Sequence, residues 1–173
     1  MTTATKPRAV PFFAYPHVFT SSEADLLRIV EDVGHRGAFI MQHDLTRFEN
    51  NLSRFLNVKH TLGVGNATDG LHFAVRTAGI GPGDEIILSS HTMIATAAAI
   101  YFAGATPVPV DCGPDHLIDP AAVEAAVNSR TRAVMPTQLN GRTCDMDLLQ
   151  TVADKHGLLI IEDAAQAMGS RFK

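Results

Sequence analysis

The sequence predicts an α/β domain, with a mainly parallel sheet covered by helices on both faces. Three observations carry this. From Thr61 onward, short apolar runs alternate with segments of helical period, the pattern of strand–crossover–strand units. The run Leu158-Leu159-Ile160-Ile161 lacks polar alternation, as a strand buried on both faces would, and it ends abruptly in Glu162 and Asp163. Turn chemistry falls between the elements, at Gly81-Pro82-Gly83-Asp84, Gly113-Pro114-Asp115 and Asn140-Gly141.

Taken in order, residues 1–20 read as an extended arm, because Pro7, Pro11 and Pro16 deny it a helix interior. Ser21-Ser22-Glu23 is capping chemistry for a first helix. Its stripe is Leu26, Leu27, Ile29, Val30 and Val33, and Gly34 and Gly37 end it. A second helix runs from Asp44 to Leu56. Residues 1–60 are therefore expected to form an arm and two helices, and residues 61–173 a partial α/β domain. Within the latter, strands are expected at Thr61–Gly65, Glu85–Ser89, Thr106–Asp111, Arg132–Thr137 and Leu158–Glu162. Helices are expected at Thr68–Ala78, Thr92–Ala103, Asp119–Asn128 and Asp145–His156.

Composition narrows the function classes. The net charge of −4 and the scattered basic residues leave no nucleic-acid footprint. Charged residues are 18% of the chain, against roughly a quarter in a typical domain, which suits a chain that buries much surface. Met93 to Ala105 is too short and too alanine-rich to span a bilayer, and the proline-broken N-terminus is no signal peptide. Cys112 and Cys144 read as free thiols of a reducing cytosol. A soluble, cytoplasmic protein is expected.

Parallel topology brings the residues after each strand to one edge, where ligands bind in such folds. Those residues are Gly65-Asn66-Ala67-Thr68, Ser89-Ser90-His91-Thr92, Asp111, Thr137-Gln138-Asn140 and Glu162-Asp163-Gln166. A carboxylate at the rim of a dry core, as Asp163 would be, is placed to pair with a buried cation. Gly63-Val64-Gly65-Asn66-Ala67-Thr68 admits two readings. Free N–H groups at a helix start plus the Thr68 hydroxyl make an anion site suited to phosphate; alternatively, Asn66 or Thr68 is a plain helix cap. His91 beside two serines reads as a loop residue. Cys112 and His116 lack a second ligand pair, so no metal is expected.

Six segments in register resemble the sugar aminotransferase family named after DegT, DnrJ, EryC1 and StrS. They are Val10-Pro11-Phe12-Phe13, Gly63 to Asp69, Gly81 to Glu85, Ser90 to Thr96, Gly104 to Val108, and Glu162 to Ala167. The resemblance implies a fold type I aminotransferase-like architecture, of which these residues would be an incomplete large domain. It implies pyridoxal 5'-phosphate as cofactor, a keto sugar (usually nucleotide-linked) as acceptor, glutamate or glutamine as amino donor, and a homodimer. It assigns Ala67 and Thr68, beside Asn66, to the cofactor phosphate, Asp163 to the pyridine nitrogen and Gln166 to the neighbourhood of the phenolic oxygen.

The chain departs from the family pattern at three places. Met93 stands where the family usually stacks an aromatic ring, Ala67 replaces a glycine of the phosphate turn, and Gln138 sits where many members carry histidine. The family's cofactor-bearing lysine lies well beyond Asp163, and Lys173 is too near to match it. These residues are therefore expected to be the N-terminal part of a longer aminotransferase. A dehydratase of the same family, with histidine in place of that lysine, and a non-catalytic remnant with a binding role are the alternatives.

Overall fold

The computed structural model describes residues 9–173. They fall into two compact units, the first ending at Asn51 and the second running Leu52–Lys173. The first unit holds α1 (Tyr15–Thr20), α2 (Glu23–Arg36) and most of α3 (His43–Leu56). α1 corrects the expected extended arm over residues 15–20; the arm's first eight residues lie outside the described range. The reason is the position of Pro16 in the helix's first turn. There its missing N–H costs nothing and its φ is already helical. α2 runs through Gly34, expected to help end it, and stops on Gly37 in the left-handed region at φ 62°, where a side chain would be strained. Its apolar stripe is formed but exposed, with Val30 at 69%.

The second unit continues with α4 (Ala67–Thr77), β1 (Glu85–Ser89), α5 (Ile94–Phe102), β2 (Thr106–Val110), α6 (Pro120–Ala126), β3 (Thr131–Met135), α7 (Met146–His156) and β4 (Leu159–Ile160). All four strands are parallel, in the order β2-β1-β3-β4. Alternation along the central strands divides the core into two layers. Ile86 and Leu88 of β1, with Ala133 and Met135 of β3, pack against Leu71 and Val75 of α4 and Ala99 and Ile100 of α5. Ile87 and Val134 face the other way, onto Val123 of α6 and Leu149 and Val152 of α7. Helices thus cover both faces, as the alternating pattern requires.

Two expected strands differ. Thr61–Gly65 joins none of the four strands of the sheet. Its two apolar side chains, Leu62 and Val64, are 83% and 46% exposed, and glycines occupy the opposite face, so no core layer rewards the extended form. The Leu158–Glu162 strand shortens to Leu159–Ile160 and is not buried on both faces; Leu159 is 49% exposed. It lies at the sheet's edge with one neighbour only. Pairing to the β3 side nevertheless continues beyond it, through Asp163 N–H to Pro136 O (2.9 Å) and Gln138 N–H to Asp163 O (2.9 Å). At the other edge, β2 reads Thr-Pro-Val-Pro-Val. Thr106 donates inward to Asp84 O, which turns the Pro107 and Pro109 nitrogens outward and leaves that edge short of donors.

At the strands' amino ends a polar cluster closes the sheet. Asn128 Nδ2 and Arg130 Nε each donate to the Glu85 carboxylate at 2.7 Å, and Arg132 Nε donates to Asp84 at 2.8 Å. The Asn128 hydrogen bond, seconded by Arg130, holds the Glu85 carboxyl below the usual glutamate range. Because the folded value lies below the unfolded one, Glu85 contributes stability above the ordinary glutamate range and loses it as the pH falls through the folded value. Melting curves of Glu85→Gln and parent, taken from about pH 7 to about pH 3, should show a gap that closes at the acid end. A gap that persists unchanged would show that the charge of Glu85 is not what stabilises.

Candidate functional site

The register sets the strands' carboxyl ends side by side, with Ser89 opposite Val110, Leu88 opposite Met135 and Val134 opposite Ile160. The next residues of β3 and β4 meet in a parallel bridge between Thr137 and Asp163. Asp163 is 5% exposed. Its Oδ2 accepts from Thr96 Oγ1 at 2.7 Å and its Oδ1 from the Ala165 amide at 3.2 Å. Thr96 Oγ1 lies 2.7 Å from Thr92 Oγ1, which lies 2.8 Å from Thr137 Oγ1. A loop after β1, the first turn of α5, the end of β3 and the end of β4 therefore converge on one buried carboxylate.

None of the ion pairs among the described residues includes Asp163. A buried carboxylate satisfied only by neutral donors retains lone pairs and a charge that a cation would balance. That is the chemical requirement a protonated pyridine nitrogen would meet, so the residues present fit the cofactor the resemblance implies.

The α4 end is built separately. Asn66 is its N-cap: Oδ1 accepts from the Asp69 amide at 3.0 Å, and Nδ2 donates to Asp69 Oδ2 at 2.9 Å. The two readings of this segment are thus compatible. Asn66 is the cap, while the amides of Ala67 and Thr68 belong to a first turn that has no intrahelical acceptors. Ala67 opens the helix and is not among the residues of positive φ, so alanine there costs no backbone strain. The carboxyl end of α4 leads into the start of β1. An antiparallel helix of that length returns its N-terminus toward the strands' carboxyl edge. No hydrogen bond among the described residues joins Asn66, Ala67 or Thr68 to Asp163.

Met93 precedes α5 in extended backbone and is 65% exposed. With Ser89, Ser90, Thr92 and Ile94 it lines a cavity of about 430 Å³. Gln166 is exposed, and its Oε1 accepts from the Asn140 amide at 3.0 Å, which ties its oxygen end to the loop after β3. Gln138 is buried and spans Glu162 (Nε2 to Oε2, 2.7 Å) and the Cys144 amide (2.7 Å to Oε1), an internal brace rather than a ligand-facing group. His91 turns Nδ1 to the His116 carbonyl at 3.3 Å, as a loop residue would. No metal-holding cluster occurs among the described residues. Burial pushes the Cys144 thiol up to about 11, so it is inert at neutral pH.

The threonines are what sequence reasoning missed. Thr92 and Thr137 are visible as strand-end polar residues, but Thr96 is not. The available signal was spacing: in the expected helix Thr92–Ala103 the two threonines stand four apart on one face, and in the structure their hydroxyls do meet, although Thr92 lies just before α5.

Fold and site together define a parallel α/β domain of the kind that gathers a ligand at its strands' carboxyl edge, here beside the buried side chain of Asp163. The chain belongs to the DegT/DnrJ/EryC1/StrS aminotransferase family, whose sequence profile matches residues 20–173. It is 42% identical over 175 residues to a dTDP-3-amino-3,4,6-trideoxy-alpha-D-glucose transaminase of Streptomyces venezuelae, covering 98% of this chain and 45% of that protein. It is 44% identical over 138 residues to a GDP-perosamine synthase of Caulobacter vibrioides, covering 79% of this chain and 36% of that one. Among solved structures it resembles S. venezuelae DesV in complex with ketimine intermediate, with TM-score 0.90, 42% identity, and coverage of 95% of this chain and 44% of that one. It also resembles NtdA from Bacillus subtilis with bound cofactor PMP, with TM-score 0.91, 29% identity, and coverage of 95% and 38%. The chain thus spans less than half the length of these relatives, and its architecture is the fold type I aminotransferase-like α/β fold.

Proposed function

We propose that these residues form the cofactor-holding part of a pyridoxal 5'-phosphate-dependent aminotransferase that moves an amino group from glutamate or glutamine to a keto sugar, usually nucleotide-linked. The observation that carries this is the burial of Asp163 among neutral donors, with no ion pair to it among the described residues. When bound, pyridoxal phosphate supplies the electron sink for carbanion chemistry. Asp163 accepts from the ring nitrogen and holds its proton. The Ala67 and Thr68 amides and the Thr68 hydroxyl take the phosphate, in a turn that Asn66 orders by capping. Met93 packs its thioether on the ring face, a role its exposure leaves open to it. Gln166, tied by its oxygen, keeps its amide NH₂ for the phenolic oxygen. The sugar-nucleotide names of the two relatives support a nucleotide-linked acceptor. No helix among the described residues is long and apolar enough to cross a membrane; a cytoplasmic homodimer is proposed on the family resemblance alone.

The test uses the full-length protein. Supplied with pyridoxamine 5'-phosphate and a dTDP-linked keto sugar, it should yield the amino sugar, read by mass spectrometry. Absence of any amino product, together with no change in melting temperature on adding the cofactor, would reject the reading.

A further inference from the structure

The three threonines lie in series with Asp163, and their donor directions are determined. A carboxylate only accepts, so Thr96 Oγ1–H points to Asp163 Oδ2. Having spent its proton, Thr96 accepts from Thr92 across 2.7 Å. Thr92, its proton also spent, accepts from Thr137 across 2.8 Å. The chain runs one way, Thr137 to Thr92 to Thr96 to Asp163. Hydrogen bonds in series polarise one another, and a dry surrounding strengthens the effect. Thr96 is fully buried and Thr137 is 5% exposed, so little water competes at these two, while Thr92 between them is half-buried at the cavity wall.

We propose that Thr137, Thr92 and Thr96 are positioning residues that fix and polarise Asp163 for its hold on a cationic ring nitrogen. This rests on the cofactor reading above. Thr96 and the Ala165 amide each claim one carboxylate oxygen, which sets the rotation of the carboxyl plane. The oxygens' remaining lone pairs are then pre-aimed, and no reorganisation accompanies ligand entry. Thr137 is the backbone bridge partner of Asp163, but neither its hydroxyl nor that of Thr92 bonds the Asp163 carboxylate or, in this assignment, the ring. They act through Thr96, from the loop after β1 and the end of β3, so the two central strands set the aim of the residue after the edge strand.

The experiment compares two ligands on the full-length protein: pyridoxamine 5'-phosphate and its 1-deaza analogue, which has no ring nitrogen. Parent protein should bind the first more tightly. Thr96→Val should weaken that ligand by about tenfold to a hundredfold, the scale of losing one hydrogen bond to a charged group. Thr92→Val and Thr137→Val should weaken it by about twofold to fivefold, in that order of severity. None should change affinity for the deaza analogue by more than about twofold, and Thr96→Ser should restore the parent preference. Because Thr96 is buried, Thr92→Val and Thr137→Val keep the test decisive should Thr96→Val fail to fold. Equal losses for both ligands would mean a merely structural role and overturn the proposal, as would unchanged affinity in all three variants. A parent protein that does not distinguish the two ligands would instead overturn the cofactor assignment of Asp163.

Discussion

Replacing Asp163 by asparagine is expected to abolish transamination by the full-length protein while leaving its cofactor-free form close to parental stability. The carboxylate offers acceptors on both oxygens: one serves Thr96, the other the Ala165 amide, and lone pairs remain for a ring N–H. Asparagine has one acceptor oxygen. Its NH₂ would face either the Ala165 N–H, the Thr96 hydroxyl or the ring N–H. The hydroxyl chain can reverse, Thr96 accepting from the amide and donating to Thr92, so the protein interior has an answer. The ring nitrogen has none.

Turnover should therefore fall by roughly 10²–10³-fold or more, the scale of removing one preorganised electrostatic partner from a water-excluded site. Without cofactor, asparagine also removes a buried carboxylate that no ion pair among the described residues offsets, and the melting temperature should stay within a few degrees of the parent. The measurements are the steady-state rate and the cofactor-free melting curve. Transamination at the parental rate would remove Asp163 from its assigned role. A collapse of the cofactor-free protein would mean that the acid serves the fold instead.

Much of this site is legible before any coordinates, and the reason is topological. A parallel sheet converts a one-dimensional list, the residues after each apolar run, into one edge in space. Thr92, Thr137 and Asp163 are all on that list. The strands β1 and β3 are legible because their burial makes them near-continuous apolar or β-branched runs, and the helix ends because Asn66, Asp119 and Asp145 each cap by a local bond within three residues. What fails is whatever depends on distant neighbours. Thr61–Gly65 has the composition of a strand, but composition does not state what lies beside it. Leu158–Ile161 has the composition of a central strand yet lies at an edge. Thr96 looks like an ordinary helix residue, and its importance comes from a carboxylate 67 positions away. The α1 helix shows the converse error: a proline read as a breaker is a helix starter when it falls in the first turn.

The adjacent residues Ile86 and Ile87 should be equally costly to truncate and unequally important to the site. Both are fully buried on β1, a central strand, and they point to opposite layers. Alanine at either removes most of a branched side chain and leaves a cavity that a rigid sheet cannot close, for a loss of about 2–5 kcal/mol. The layers differ in what they carry. Ile86 supports α4 and α5, whose amino ends supply Ala67, Thr68, Met93 and Thr96. Ile87 supports α6 and α7, which supply none of them. Urea unfolding of Ile86→Ala and Ile87→Ala should therefore show similar destabilisation, while affinity for pyridoxamine 5'-phosphate falls chiefly in Ile86→Ala. Aim in such a site is set at the ångström level, and a shift of either helix start moves a donor off its acceptor. Equal affinity losses in the two variants would show that the helix layer on one face of the sheet does not by itself position the cofactor's partners.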